Sequence, residues 1–311
     1  MLGYVARRVA MAVPTIFAVA TVLFFIVRMV PGDPAVYLLG DMATPERVAK
    51  LRAEMGLDKP LYQQYIDFML GVLRGDFGRS FENGMPTMVR VLRAFPYTFE
   101  LAVAGTILSL LIGIPLGVAA AVRRGSKIDV LITSGTTIGV SIPVFWLALL
   151  LIEFFSVRLG LLPVTGVGNN PIERLRHLAL PAFSLGIGMA ATVARMTRSS
   201  MLEVLGKDYI TAVRAKGAPW NVTVYKHGLR NAIIPVVTVV GLNFGYLLGG
   251  TVLVEYVFGR PGLGSLLIEA VFSRDYPQIQ ASVFFFSAVF MAVNIFVDIL
   301  YSFLNPKIRY G

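Results

Sequence analysis

Apolar residues in this chain come in long unbroken runs, separated by short polar connections that carry most of the lysine and arginine. Six runs, at 9–30, 101–122, 130–152, 178–194, 232–254 and 279–297, approach or exceed the roughly 20 residues a helix needs to cross the hydrocarbon core of a bilayer. A backbone in lipid must satisfy its own hydrogen bonds, and these runs are too long and too evenly apolar for barrel strands. The pattern therefore predicts an all-α integral membrane protein with six transmembrane helices. The fourth run is the shortest. The first follows Arg7 and Arg8 as a secretion signal would, but its apolar stretch is too long for one, so 1–30 is expected to stay as an anchor helix.

Only 31–98 reads as water-soluble structure. "PGDPA" at 31–35 breaks the first helix, because proline and glycine interrupt it where the backbone can again be solvated. Within "TPERVAKLRAEMGL", Thr44 is a predicted N-cap, Pro45 a first helical residue and Gly56 a stop. A second amphipathic piece, "LYQQYIDFMLGVLRG", places Tyr62, Tyr65, Ile66, Met69, Leu70 and Leu73 near helical spacing. Two roles are open for this external helical segment: a cap packed on the membrane domain, or a docking surface for an outside partner.

Charge sets the predicted orientation. With an intracellular N-terminus, the inside segments hold fourteen lysines and arginines, from Arg7 and Arg8 through the cluster at 195–230 to Lys307 and Arg309, and the short outside ones hold five. The eight basic residues of 31–98 are balanced by eight acids, and that segment is long enough to cross whatever its charge. Both termini are thus predicted inside. Composition agrees with a membrane protein: mean hydropathy is +0.72, and 15% of residues are charged, against roughly 25% in soluble domains. The net charge of +10 lies between spans, so anionic headgroups rather than nucleic acid are its expected partner. Without cysteine there is no disulfide and no thiolate metal site.

One inside connection differs from the rest. From Leu205, the apolar positions Leu205, Tyr209, Ala212 and Val213 fall on one helical face, and Lys207, Thr211 and Arg214 on the other. Arg214 and Lys216 lie in the last turn, Gly217 is the predicted stop, and Pro219 forbids continuation. "WNVTVYKHGLRN" then predicts a second short helix, capped by Asn221, leading into the fifth span. Such a helix, glycine turn and helix could lie on anionic lipid. The small Ala212, Ala215 and Ala218 beside Gly217 would instead let another protein's backbone approach closely.

The residues "DYITAVRAKG…HGLRNAIIP" resemble the "EAA" coupling loop of ABC importer permeases, in the form found in the dipeptide, oligopeptide and nickel branch. "RRVAMAVPTIF", "VRMVPGDPA", "GLDKPLYQQY", "GDFGRS", "SIPVFWLALLLI", "HLALPAFSLG", "ARMTRSSMLEVLGKDY", "VFGRPGLGSLL" and "NPKIRYG" extend the resemblance over nearly the whole chain. Thr211 stands where the wider family has its acid, and the proline expected soon after His227 comes only at Pro235, as in the peptide branch. The resemblance implies a type I ABC importer-like fold in a bacterial inner membrane. It implies an anchor at 1–30, an external segment at 31–98, a permease core at 99–304 with a coupling loop at 199–232, and a cytoplasmic tail at 305–311. The implied partners are a second, different permease subunit, two ATP-binding subunits and an external substrate-binding protein. The implied cargo is a di- or oligopeptide, with glutathione or a nickel complex as alternatives in the same branch. ATP and magnesium are expected on the partner subunits and no cofactor on this chain, which lacks the G-x-x-x-x-G-K-[ST] phosphate loop and is expected not to be an enzyme.

The implied coupling residues are Asp208, Tyr209, Thr211, Ala212, Arg214, Ala215, Lys216, Gly217, His227, Arg230 and Asn231. For the translocation path the candidates are Asn243, Gly245, Tyr246 and Gly249, although Gly241, Gly245 and Gly249, like Gly113 and Gly117, also have the spacing that lets helices pack closely. Glu153, Glu255 and Asp298 lie near span ends and are expected to reach the interface. Two rival classes find little support. An intramembrane hydrolase would need a base near Ser141, and a self-contained secondary transporter more often has inverted repeats and midplane carboxylates.

Overall fold

The computed structural model describes the backbone of residues 2–304; the side chains at 2–7, 9, 298 and 300–304 lie outside that description, as does the predicted tail at 305–311. The described secondary structure is helical. In chain order it runs α1 (Leu2–Met29), α2 (Pro34–Leu39), α3 (Pro45–Glu54), α4 (Leu61–Arg74), α5 (Thr87–Val122), α6 (Lys127–Ser141), α7 (Val144–Leu151), α8 (Pro171–Leu205), α9 (Asp208–Ala215), α10 (Trp220–Val222), α11 (Arg230–Val257), α12 (Leu263–Phe272) and α13 (Tyr276–Leu304). Five of these stretches are long and apolar enough to cross a membrane, and the pair α6 and α7 makes a sixth if it is counted as one span.

In that pair the third predicted span is broken, its two halves bent by 100°. The break is at Ile142 and Pro143. Ile142 is extended (φ −78°, ψ 123°), as expected for a residue pushed out of the α region by the proline ring behind it, and Pro143 has no N–H to continue the ladder. Beyond α7 the chain widens into a π-helix at Ile152–Arg158. The fourth run, predicted as the shortest, sits inside the 35-residue α8, which extends past it with polar turns at both ends.

The chain divides into two compact units, Met1–Thr98 with Pro261–Ala292 and Phe99–Arg260 with Val293–Gly311. In the first, Thr44 accepts from Arg47 N, Pro45 opens α3 and Gly56 turns with φ +67°, all at the predicted positions. The loop at 77–86 is tied to the turn before α13 by buried Asp275, which accepts from Ser80 Oγ at 2.5 Å and from Phe81 N at 3.1 Å. Around it Phe77, Val91, Ala94, Leu263, Leu266 and Ala281 form an apolar core.

The second unit is built on α8, which packs against α6, α7 and α11. Its approach to α5 depends on missing side chains. A Cβ on Gly113 would lie 2.6 Å from Ala190 O, one on Gly117 2.5 Å from Ala194 O, and one on Gly186 2.7 Å from Gly105 O. Spacing alone left two uses open for these glycines; the contacts show that Gly113 and Gly117 serve helix packing. Gly117→Ala is therefore expected to destabilise the purified protein by about 1–3 kcal/mol, the usual cost of overpacking, seen as a lower Tm in detergent. Gly135→Ala meets nothing within 4 Å among the described residues and should leave the Tm unchanged or slightly raised.

Candidate functional site

The polar segment between α8 and α11 folds as a corner. Helix α8 stops at Leu205 with Gly206 as its cap, Lys207 is extended, and α9 begins at Asp208, whose carboxylate suits the positive end of the helix dipole. Leu205 therefore belongs to α8 and not to the apolar face of α9. The residue that anchors α9 is Ile210, which is only 2% exposed. Thr211, Ala212, Arg214, Ala215, Lys216 and Gly217 are all exposed.

Gly217 makes the corner. Its N–H bonds to Arg214 O at 2.9 Å, and its φ of +83° is left-handed, a conformation that a side chain would strain. Among the described residues no neighbour lies within 4 Å of where a Cβ would stand, so none of them fills the space beside it. Pro219 then starts the next helix without help from Asn221, whose predicted capping role falls to the extended backbone at Pro219. The predicted short second helix is instead the beginning of a continuous one, since α10 runs through a π-helical stretch at Thr223–Leu229 into α11.

Two contacts fix the corner to this continuous helix. The Arg214 guanidinium lies over the Trp220 ring, 5.1 Å from its centroid. Asn231 Nδ2 donates to Tyr209 Oη at 3.0 Å and to His227 O at 2.9 Å, and Tyr209 Oη donates to the same carbonyl at 3.4 Å. Tyr209, His227 and Asn231 are thus brought together, with the His227 backbone rather than its ring taking part. Arg230 is exposed on the same stretch. Below, Val224, Gly228 and Ala232 pack toward α8, where Met201 and Val204 complete a buried cluster.

A further polar contact joins α8 to the preceding connection. Arg198 binds Asp129 in a two-pronged pair, Nε to Oδ1 at 2.6 Å and Nη2 to Oδ2 at 2.8 Å, and Asp129 also accepts from Gly125 N at 3.0 Å. Sequence reasoning missed this pair. Its partners are 69 residues apart, and the only local sign was Ser126, which caps α6 and leaves Asp129 in the first turn.

At the other end of α11 a charge cluster overturns one expectation. Glu255 is fully buried rather than at the interface, while Glu153 is exposed and paired with Arg158 at 2.9 Å; the side chain of Asp298 is outside the described ones. Arg260, 1% exposed, donates to Glu100 Oε2 at 3.1 Å, and Arg174 shares that oxygen at 3.3 Å. Burial pushes the Arg260 guanidinium below its ordinary value, and the nearby Glu100 and Glu255 work against that shift.

The path candidates separate. Gly245 is buried, and Asn243 spends its amide on Val239 O of its own helix, 2.8 Å away. Tyr246 and Gly249 are exposed, on a face of α11 that also presents Leu242, Leu253 and Tyr256.

Residues 113–310 match the family model described as binding-protein-dependent transport system inner membrane component, and residues 1–102 match the N-terminal model of such membrane components. The chain belongs to this family. It is an ABC importer permease subunit and a multi-pass inner membrane protein. Over 310 residues, covering all of both chains, it is 44% identical to the glutathione transport system permease protein GsiC of Salmonella typhimurium and 43% identical to that of Escherichia coli K12. Among solved structures, two inward-facing forms of the MetNI methionine ABC transporter match with TM-scores of 0.55 and 0.56 at 21% and 20% identity, covering 70% of this chain and 97% of the other. At that identity they support the fold alone.

The contacts at the corner give a prediction. Tyr209→Phe removes the hydroxyl that joins α9 to Asn231 and should cost about 0.5–1.5 kcal/mol, the worth of an ordinary hydrogen bond, read as faster hydrogen exchange over 208–217. Unchanged exchange would mean that the hydroxyl does not hold the corner.

Proposed function

We propose that this permease forms half of the translocation path of an ATP-driven importer of small peptides, and that α9 with Gly217 transmits the motion of a partner ATPase. The observation that carries the coupling role is the exposed face of α9 ending at the open space beside Gly217, on a corner held to α8 and α11. A moving partner must push on something that does not yield, and the Arg214–Trp220 and Tyr209–Asn231 contacts supply that stiffness. Asp208, Thr211, Ala212, Ala215 and Lys216 would line the contact, with His227 and Arg230 at its edge.

In this reading both termini and α9 are cytoplasmic, 31–98 is external, 99–304 is the permease core with its coupling loop at 199–232, and 305–311 is a cytoplasmic tail. The chain does no chemistry itself. Two ATP-binding subunits hold ATP and magnesium, a second and different permease completes the path, and an external binding protein delivers the cargo. Tyr246 and Gly249 would line the path, a role supported by their exposure on one face of α11. Asn243 and Gly245 would flank that face, Asn243 half-buried and Gly245 buried. For cargo, the names of the relatives favour glutathione among small peptides over a nickel complex.

The test uses the complex purified from its native membrane and reconstituted with its binding protein. ATP-driven uptake of labelled glutathione, with a dipeptide and a nickel complex as competitors, identifies the cargo. Gly217→Asp should insert normally yet lose uptake and the ATPase subunits; retained uptake would overturn the coupling role. Lys216→Ala should weaken ATPase docking only slightly, since an exposed ion pair is worth about 1 kcal/mol or less. Complete release of the ATPases by Lys216→Ala would make charge, not the glycine corner, the basis of docking.

A further inference from the structure

Helix α4 was read from sequence as part of a water-soluble segment, but its packing places it beside a membrane span. Tyr65 Oη hydrogen-bonds to Thr21 Oγ1 at 2.9 Å, the Tyr65 ring stacks on Phe25 with centroids 5.9 Å apart, and Phe68 lies 5.6 Å from Phe24. Arg28 Nε donates to Gln64 Oε1 at 3.0 Å. All four partners belong to the span Ala10–Met29. From Thr21 to Arg28 is about 10 Å along a helix at 1.5 Å per residue. Half of the hydrocarbon core is about 15 Å deep. Side chains of α4 therefore reach a depth where the surroundings of α1 are lipid.

The residues of α4 sort into three sectors at 100° per residue. Tyr65, Phe68 and Val72 form the packed sector. Gln63, Asp67 and Arg74 form a polar one, where Asp67 pairs with Lys59 at 2.8 Å. Tyr62, Ile66, Met69 and Leu73 fall on a third arc at i, i+4, i+7 and i+11. Three of these are 70%, 51% and 67% exposed, namely Tyr62, Ile66 and Leu73. A helix bathed in water has no use for that arc. The arc also continues an apolar face of the span: Phe25 is 43% exposed, stacks on Tyr65 and stands beside exposed Val22 and Ile26.

We infer that α4 lies along the membrane in the leaflet at the Met29 end of α1, with Tyr62, Ile66, Met69 and Leu73 buried among lipid acyl chains and Gln63, Asp67 and Arg74 turned to water. The helix is then an interfacial anchor, driven by apolar burial on one arc, with a tyrosine where aromatic rings favour the headgroup level.

The chain contains no cysteine, so single-cysteine variants need no background substitutions. Tyr62→Cys, Ile66→Cys and Leu73→Cys, with Gln63→Cys and Arg74→Cys as controls, all change exposed positions. Each full-length variant, purified with its accompanying subunits, is spin-labelled and reconstituted in phosphatidylethanolamine and phosphatidylglycerol vesicles. Collision with oxygen, which concentrates in lipid, is compared with collision with a water-soluble nickel chelate. The oxygen-to-nickel ratio should be several-fold higher at 62, 66 and 73 than at 63 and 74. Equal ratios at all five positions would overturn the inference. So would nickel access at 62, 66 and 73 that disappears only when the substrate-binding protein is added, because the arc would then be a protein docking surface.

Discussion

The second unit depends on one contact, the backbone-to-backbone approach of α5 and α8 at glycine. Where Gly113 and Gly117 pass Ala190 and Ala194, the space a methyl group would occupy is already taken by carbonyl oxygen. In a bilayer the lipid tails are as apolar as leucine, so helices gain little by hiding apolar surface and associate through close packing. Once α8 is seated in this way, its remaining faces receive α6, α7 and α11. The polar ties follow the same frame: Arg198 reaches Asp129 from α8, and Met201 and Val204 on the same helix seat the start of α11.

Seen from this frame, α9 is an outgrowth of α8 and not a loop laid on the surface. Ile210 alone anchors it deeply, while Tyr209 and Arg214 hold its two ends to residues on the α10–α11 helix. The result presents small side chains and a bare glycine outward on a short, well-tied helix. At the opposite end of α11, Glu100 binds Arg174 and Arg260 together, so charges are shared at both ends of the span while its middle carries none.

Sequence showed those parts of this protein that local chemistry decides. Apolar run length revealed the spans, and Thr44, Pro45, Gly56 and the Gly217 and Pro219 corner acted where the spacing placed them. What it hid was non-local or masked by uniform apolarity. The 100° break at Ile142 and Pro143 lies within an unbroken apolar run, so hydropathy could not reveal it, and the proline was the only sign. Glu255 stands near a span end, where snorkelling is the usual outcome; it is buried where the fold brings the opposite charge of Arg260 close by. The start of α11 was misread because Asn221 offered a capping side chain that the helix, already begun at Trp220, did not need.

The π-helical stretch at Thr223–Leu229 also sets a rotational phase. A π-turn accommodates an additional residue without ending the helix. An α-helix advances by about 100° per residue, so this stretch and the number of α-helical residues after it together decide which compass direction Trp220, and with it the face of α9, takes relative to the span below. Removing one residue at 233–234, in the α-helical turn beyond this stretch, would leave every residue of the corner contacts in the chain and turn the corner by about 100°, a little over a quarter of a revolution, away from its target. The aim of this surface is therefore written in the count of residues between Pro219 and Pro235, independently of which side chains stand there.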